Sequence, residues 1–279
     1  MDMEAPVLEL VAFARGLFLA DRRHRANMAL KLDHCLRVFQ EAEMITASEN
    51  LSPATTRRAI WGALFHDVGR FEQYVTYKTF DDRKSTDHGR LGSWTVKRHG
   101  LLARLNRLDR KAVRTAIVLH NKRFLPPGLP KWAMHPAQVV RDADKLDIFM
   151  IMLDHLRSGG EHNPVVTLGL RDEPASYSTE LVDQVLEGKL GDYAKMRTLN
   201  DFRLLLCSWV FDLNYTASKQ ALRERGYLTA LLNALPDTPT IRRVRDTVLS
   251  ALEEGTAARS PAGRPPCPSQ ANLAARRYA

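Results

Sequence analysis

The sequence predicts an all-α protein, and three observations carry that prediction. Apolar residues recur at helical spacing along most of the 279 residues and almost nowhere alternate with period two. Ser, Asp and Pro stand where the periodic runs begin, as caps and first-turn residues do. With 44% hydrophobic and 26% charged residues, the chain is ordinary globular material, long enough for its helices to bury a core against one another.

The first segment, "VLELVAFARGLFLA", is apolar but broken by Glu9 and Arg15 and too short to span a bilayer. It reads as an amphipathic core helix, so no membrane insertion is expected. "RANMALKLDHCLRVFQEAEMI" places Met28, Leu32, Leu36 and Phe39 on one stripe. "SPATTRRAIWGALFHD" starts with Ser52 as N-cap and Pro53 at the first helical position, runs to Asp67, and meets a stop at Gly69. Residues 71 to 86, with Phe71, Tyr74, Tyr77 and Phe80, read as a long loop with room for a short helix.

A further helix begins near Thr86, with Asp87 as its cap. "DRKAVRTAIVLHN" then aligns Ala112, Val113, Ala116, Ile117 and His120 on one face. Four prolines in "FLPPGLPKWAMHP" mark an irregular crossing, followed by the long helix "AQVVRDADKLDIFMIMLDHL". "STELVDQVLEGKL", "DFRLLLCSWVFDLNY", "SKQALRERGYLTALLNAL" and "TIRRVRDTVLSALEEG" continue the pattern. Residues 1–254 are expected to form a single all-α domain, and 255–279, rich in Ala, Pro, Gly, Ser and Arg, a disordered tail.

The formal charge of +9 favours anionic partners without choosing among them. The basic runs "RRHR" and "IRRVRD" lack a nucleic-acid motif, so solvated helix faces are the expectation there. Cys35, Cys207 and Cys267 form no CxxC spacing, which argues against disulfides and thiolate zinc sites and for a reducing cytoplasm.

What the helices carry is a set of imidazoles and carboxylates: His34, His66 with Asp67, His88, His120 and Asp144. Each has an ordinary reading. His120, on an apolar stripe, fits a core histidine bonded to backbone, and Asp144 fits a surface pair with Lys145 beside Asp147. Together they would leave a bundle core with many polar groups to satisfy, and one or two metal ions satisfy all of them. Nitrogen and oxygen donors without thiolate suit iron, manganese, zinc, cobalt or nickel. Six donors exceed the need of one ion with an open position, so a dinuclear centre sharing Asp67 fits.

The order His34, His66-Asp67, Asp144 in "RDADKLD" resembles the HD superfamily of metal-dependent phosphohydrolases, over a core of about residues 25–155 with later helices as an extension. His88 and His120 resemble the additional ligands of its binuclear branches. That resemblance implies one divalent metal on His34, His66, Asp67 and Asp144, and a second on Asp67, His88 and His120. It implies hydrolysis of a small phosphorylated or nucleotide substrate, a phosphomonoester or phosphodiester, by metal-activated hydroxide. The same ligand set resembles that of the mixed-valent diiron oxygenases, so cleavage of a C–C or C–P bond is the alternative. A catalytically silent signalling domain is the third reading. No Gly-Tyr-Pro tripeptide occurs, which gives a cyclic-di-GMP activity no support. Asp67, Arg70 and Lys145 are the expected catalytic residues, with Arg70 as a bidentate phosphate clamp and Lys122 and Arg123 as weaker candidates for phosphate contact.

Overall fold

The computed structural model describes residues 2–157 and 169–254, apart from the side chains of 156 and 157. Among the described residues no strand forms, and a lone parallel bridge joins Arg171 and Thr198. The chain divides into two compact units, one reaching to Asp147 and one beginning at Ile148. The predicted tail, with Cys267, lies outside the described residues.

In the first unit, α1 (Glu4–Gly16) buries Val7, Leu10, Val11 and Ala14, the face its spacing predicts. Asp21 caps α2 (Arg22–Ser48) by accepting from the backbone N–H of His24 at 2.9 Å. Met28, Leu32 and Leu36 are buried on its stripe, and Phe39 packs at the core's edge. α3 (Pro53–Phe65) begins under the Ser52 cap as expected. It packs on both α2 and α6 (Arg107–Leu119), and Gly62 keeps it close: a Cβ there would meet Val140 Cγ2 at 3.0 Å and Ala116 Cβ at 3.3 Å.

One expectation fails at this point. The helix ends at Phe65, and Gly69 opens a new helix, α4 (Gly69–Tyr77), instead of stopping the old one. The glycine is required by contact: a Cβ at Gly69 would lie 2.4 Å from the His88 carbonyl oxygen and 2.5 Å from the Gly92 nitrogen. It lets α4 run against α5 (His88–Arg98) backbone to backbone. The segment read as a loop with room for a short helix contains one, its residues 71–77 lying in α4, followed by a 3-10 turn at Asp82–Lys84. Phe71 and Tyr74 are core residues, and the Tyr74 hydroxyl accepts from Asn27 at 2.6 Å, fixing α4 on α2.

α7 (Lys131–Arg157) starts before Pro136, so the second half of the proline-rich crossing is helical. Its part up to Asp147 lines the first unit's core with Val139, Val140, Ala143 and Leu146. The second unit contains α8 (Thr179–Leu186), α9 (Leu199–Ser208), α10 (Thr216–Glu224), α11 (Tyr227–Asn233) and α12 (Pro239–Glu254). Gly226, at φ +67°, divides α10 from α11 where the sequence suggests one helix. Asp201 ties the segments before α8 and α9 together: its carboxylate accepts from the N–H groups of Ser178, Arg197 and Thr198, the last within a capping box.

Candidate metal centre

Six side chains converge in the first unit, and the way each is aimed follows from its helix. His66 and His120 are the residues immediately after α3 and α6, still in right-handed helical conformation. Each ring folds back so that Nδ1 donates to the carbonyl three residues earlier, His66 to Ala63 and His120 to Ile117, both at 2.7 Å. A carbonyl only accepts, so Nδ1 carries the proton in both rings and Nε2 presents a lone pair. The bonding of His120 to backbone expected of a core histidine is therefore present, and it is what aims the other nitrogen inward.

The other two histidines are anchored on carboxylates. His34, on α2, donates from Nδ1 to Asp147 Oδ2 at 2.6 Å, and Arg37 holds the same carboxylate through Nε at 2.5 Å and Nη2 at 3.1 Å. His88, the first residue of α5, donates from Nδ1 to Asp82 Oδ2 at 2.6 Å. All four Nδ1 atoms are thus committed, and all four Nε2 atoms face the interior. His34 and His66 approach Nε2 to Nε2 at 3.1 Å, and His88 and His120 at 2.9 Å.

Asp67 lies between these pairs. Its Oδ2 is 3.6 Å from His34 Nε2 and 3.8 Å from His66 Nε2, while its Oδ1 is 3.3 Å from His88 and 3.6 Å from His120. Asp144 Oδ1 completes the first side, 3.1 Å from His34 and 3.7 Å from His66. Two triads place one donor atom each within 4.8 Å of the others: His34, His66 and Asp144, and His66, Asp67 and His120. The second of these takes His66 rather than His88 beside His120. His88 nonetheless lies on the Asp67 Oδ1 side, 3.3 Å from that oxygen.

The electrostatics are those of a site built for cations. Burial pushes His66 down to about 4 and His88 down to about 3, so neither carries a proton on Nε2 at neutral pH. For Asp67, burial opposes ionisation, but Lys31 and then Arg70 outweigh it and hold the carboxyl well below its usual range. For Asp144 burial is likewise overcome, chiefly by the His34 hydrogen bond, and its pKa is lowered. In His34 the two aspartates outweigh burial and raise it. The His34–Asp144 hydrogen bond puts a proton on His34 Nε2 in the metal-free protein, and facing nitrogens at these distances repel unless a proton or a metal cation lies among them. Asp67 Oδ1 is moreover buried with no hydrogen-bond partner among the described residues. A divalent metal fits this donor set, because it supplies what the nitrogens and that oxygen lack.

The family model of the HD domain matches residues 32–148, a span that contains all six side chains. Residues 32–148 form an HD domain. No curated protein and no solved structure matches the chain. The HD family consists mostly of metal-dependent hydrolases, and the His and Asp groups of this HD domain could hold such a metal. The matched span ends at residue 148, beside the boundary between the two compact units. Among the described residues no helix is long and apolar enough to cross a membrane.

Some residues around the centre elude sequence reasoning. Lys31 Nζ donates to Asp67 Oδ2 at 2.9 Å, and its only linear signal is its place one helical turn before His34. Asp147, read only as a neighbour of an Asp144–Lys145 surface pair, is buried beneath His34. Asp82 is unremarkable in a run of charges until the 3-10 turn brings it to His88. The phosphate-binding expectations shift as well. Arg70 spends Nη1 on Gln73, Asp82 and the Phe80 carbonyl, and its Nε lies 3.4 Å from Asp67 Oδ1. Lys122 is paired with the α5 cap Asp87, and Arg123 lies over the Phe124 ring. Lys145 is buried, directly after Asp144. Glu72 bonds Thr95 and Arg98 on α5.

Proposed function

We propose that this HD-domain protein is a binuclear metal-dependent phosphohydrolase acting on a small phosphorylated or nucleotide substrate. His34, His66, Asp144 and Asp67 would hold one divalent ion, and His88, His120 and Asp67 would hold a second. The observation that carries this reading is the division of Asp67: each of its oxygens faces a different pair of imidazole nitrogens, all four with their second nitrogen already committed. Bound there, two divalent ions would supply Lewis acidity at phosphoryl oxygens and water acidified toward neutrality.

The chain's own residues set the rest. Asp147 and Asp82 fix the tautomers of His34 and His88, so that lone pairs and not N–H groups point at the centre. Lys31 and Arg70 keep Asp67 ionised. Access is from the side of Asp144, Lys31 and Arg70, whose side chains are 17%, 19% and 14% exposed, whereas the four histidines are closed off. A substrate phosphate entering there meets Lys31, the more exposed of the two cations, which takes the phosphate-orienting role in this proposal. Lys145 remains the second candidate for that role. Arg70 becomes the residue that positions Asp67 and ties the Phe80–Asp82 segment to it.

The test is metal analysis of the purified protein followed by phosphate release from a panel of phosphomonoesters and phosphodiesters with manganese, cobalt or nickel. Two metal equivalents, turnover without oxygen uptake, and loss of both in Asp67→Ala support the proposal. Substrate-dependent oxygen consumption with a mixed-valent diiron spectrum replaces it with oxygenase chemistry. Metal binding without turnover on any phosphoester leaves a binding domain.

A further inference from the structure

We propose a second ligand site in the first unit, a cationic groove between α5 and α6 that takes a small polyanion with an apolar or aromatic body, of the nucleoside polyphosphate class. The groove has a volume of about 840 Å³ and shares no residue with the metal cluster. That is the size of a pocket for one small molecule, not of a track for a polymer. Five cations line it: Lys97 from α5, and Arg107, Arg110, Lys111 and Arg114 from α6. No Asp or Glu lines it.

Spacing puts the α6 cations on one face, three, four and seven residues apart. Like charges at that spacing repel, and Arg107 and Arg110 lie in the first turn or just past it, where the helix dipole also disfavours positive charge. Such an arrangement is unfavourable in the free protein and is relieved by an anion. Neighbouring arginines differ in this respect. Arg57 and Arg58 on α3 both pair with Asp109, on the other side of α6. Among the described residues, none of the five groove cations is paired with a carboxylate: Arg114 donates to Ser93 Oγ at 3.1 Å, and Lys111 lies 5.1 Å from the Trp132 ring centroid.

The floor is of opposite character. Leu102, Val118, Leu119 and Leu129 present apolar surface beneath the cationic rim. A bare phosphate would leave that surface wet, and an uncharged apolar molecule would leave the charges unmatched. A ligand with several phosphate charges and a flat or apolar body satisfies both, with bidentate contacts available from the guanidinium groups.

The experiment is calorimetric titration of the full-length, metal-loaded protein with adenosine 5′-(β,γ-imido)triphosphate, at about 0.15 M salt so that nonspecific attraction is screened. Saturable binding that includes one groove-dependent site is expected. The double variant Arg110→Ala, Lys111→Ala should weaken it by at least about tenfold, since a lost charged hydrogen bond costs that much. Lys97→Ala, on the facing helix, should weaken it too, and both changes lie at exposed positions that leave the fold's melting temperature unchanged. Asp67→Ala should leave this binding intact, which separates the groove from the metal centre whatever that centre does. The proposal is overturned by absence of binding, or by binding indifferent to the groove variants. Loss of binding in Asp67→Ala alone would place the nucleotide at the metals and overturns it as well. Equal affinity for tripolyphosphate overturns the role of the apolar floor, and tighter, groove-dependent binding of a single-stranded oligonucleotide overturns the small-molecule assignment.

Discussion

Asp147→Asn isolates the aiming of one imidazole from everything else at the centre. The side chain is almost fully buried and accepts from His34 Nδ1, Arg37 Nε and Arg37 Nη2. Asparagine keeps the shape and one acceptor, which Arg37 can retain. The amide nitrogen then meets His34 Nδ1–H donor to donor, and the ring relieves this by shifting its proton to Nε2. The lone pair that faces Asp67 and Asp144 is lost. Outer hydrogen-bond partners of metal-ligating histidines typically carry 10- to 100-fold in metal affinity, about 1.4–2.7 kcal/mol.

Stability should fall less. A hydrogen bond to a charged group contributes roughly 1.5–3 kcal/mol, and because Arg37 is a quarter exposed, solvent screening points to about 1 kcal/mol here. Competitive titration against a chromophoric chelator reads the affinity, and thermal melting of metal-free protein reads the fold. Asp109→Asn is the control, since Asp109 is equally buried and accepts from Arg57 and Arg58 but touches none of the six residues. It should melt earlier with its metal affinity unchanged. Affinity in Asp147→Asn within about threefold of the parent, below the range expected for such partners, would refute the reasoning. So would an equal fall in both variants.

Gly69→Ala should destabilise the protein by about 1–3 kcal/mol, because its Cβ must displace the His88 carbonyl and the Gly92 backbone; a denaturant midpoint within error of the parent counts against it. Lys31→Met should leave metal content near two equivalents while lowering turnover by about tenfold or more, as expected on losing a charged contact to phosphate; unchanged turnover removes Lys31 from the mechanism. Metal-free protein should lose stability between pH 7 and 5. His66 and His88 are lowered to about 4 and 3, below the unfolded value near 6.5, so over that window the unfolded chain binds protons that the fold does not. The loss is on the order of 2 kcal/mol per histidine at pH 5, offset in part by His34, whose pKa is raised and which gains stability in the same direction. A urea midpoint that rises on acidification contradicts this.

The helices were legible because burial on one face imposes a period, and the stripes of α2 and α6 are those the sequence predicts. Gly69 misled because glycine has two uses that look alike in one dimension: stopping a helix and admitting a neighbouring backbone. Only the position of His88 and Gly92 tells them apart. The six inward side chains were legible as a set, through residue type and through the resemblance they carry. Their anchors were not. Asp147 lies 113 residues from His34, and in the sequence it has the same charge pattern as any solvated helix face. The four cations of α6 were equally visible as letters, but "RRHR" and "IRRVRD" were the louder runs. Of those, Arg25 donates to the Leu19 and Ala20 carbonyls and Arg242 pairs with Asp237. Density of charge is a poorer guide than whether the charges have partners.

The deeper regularity is that two helix ends do the same job. A helix's last carbonyls lack intrahelical donors, and the ring of the residue just past the end can supply one. At His66 and His120 this local bond settles the tautomer, the direction of Nε2 and one hydrogen-bonding need of the terminus at once. Because α3 and α6 pack against each other and end alike, their two rings arrive 5.0 Å apart between centroids, edge to face. His34 and His88 lie within helices or at a start, where no spare carbonyl is in reach, and each requires a carboxylate brought from elsewhere. The centre is thus half local and half tertiary. The local half should survive any change that leaves α3 and α6 packed, and the tertiary half should fail first when Asp82 or Asp147 is altered.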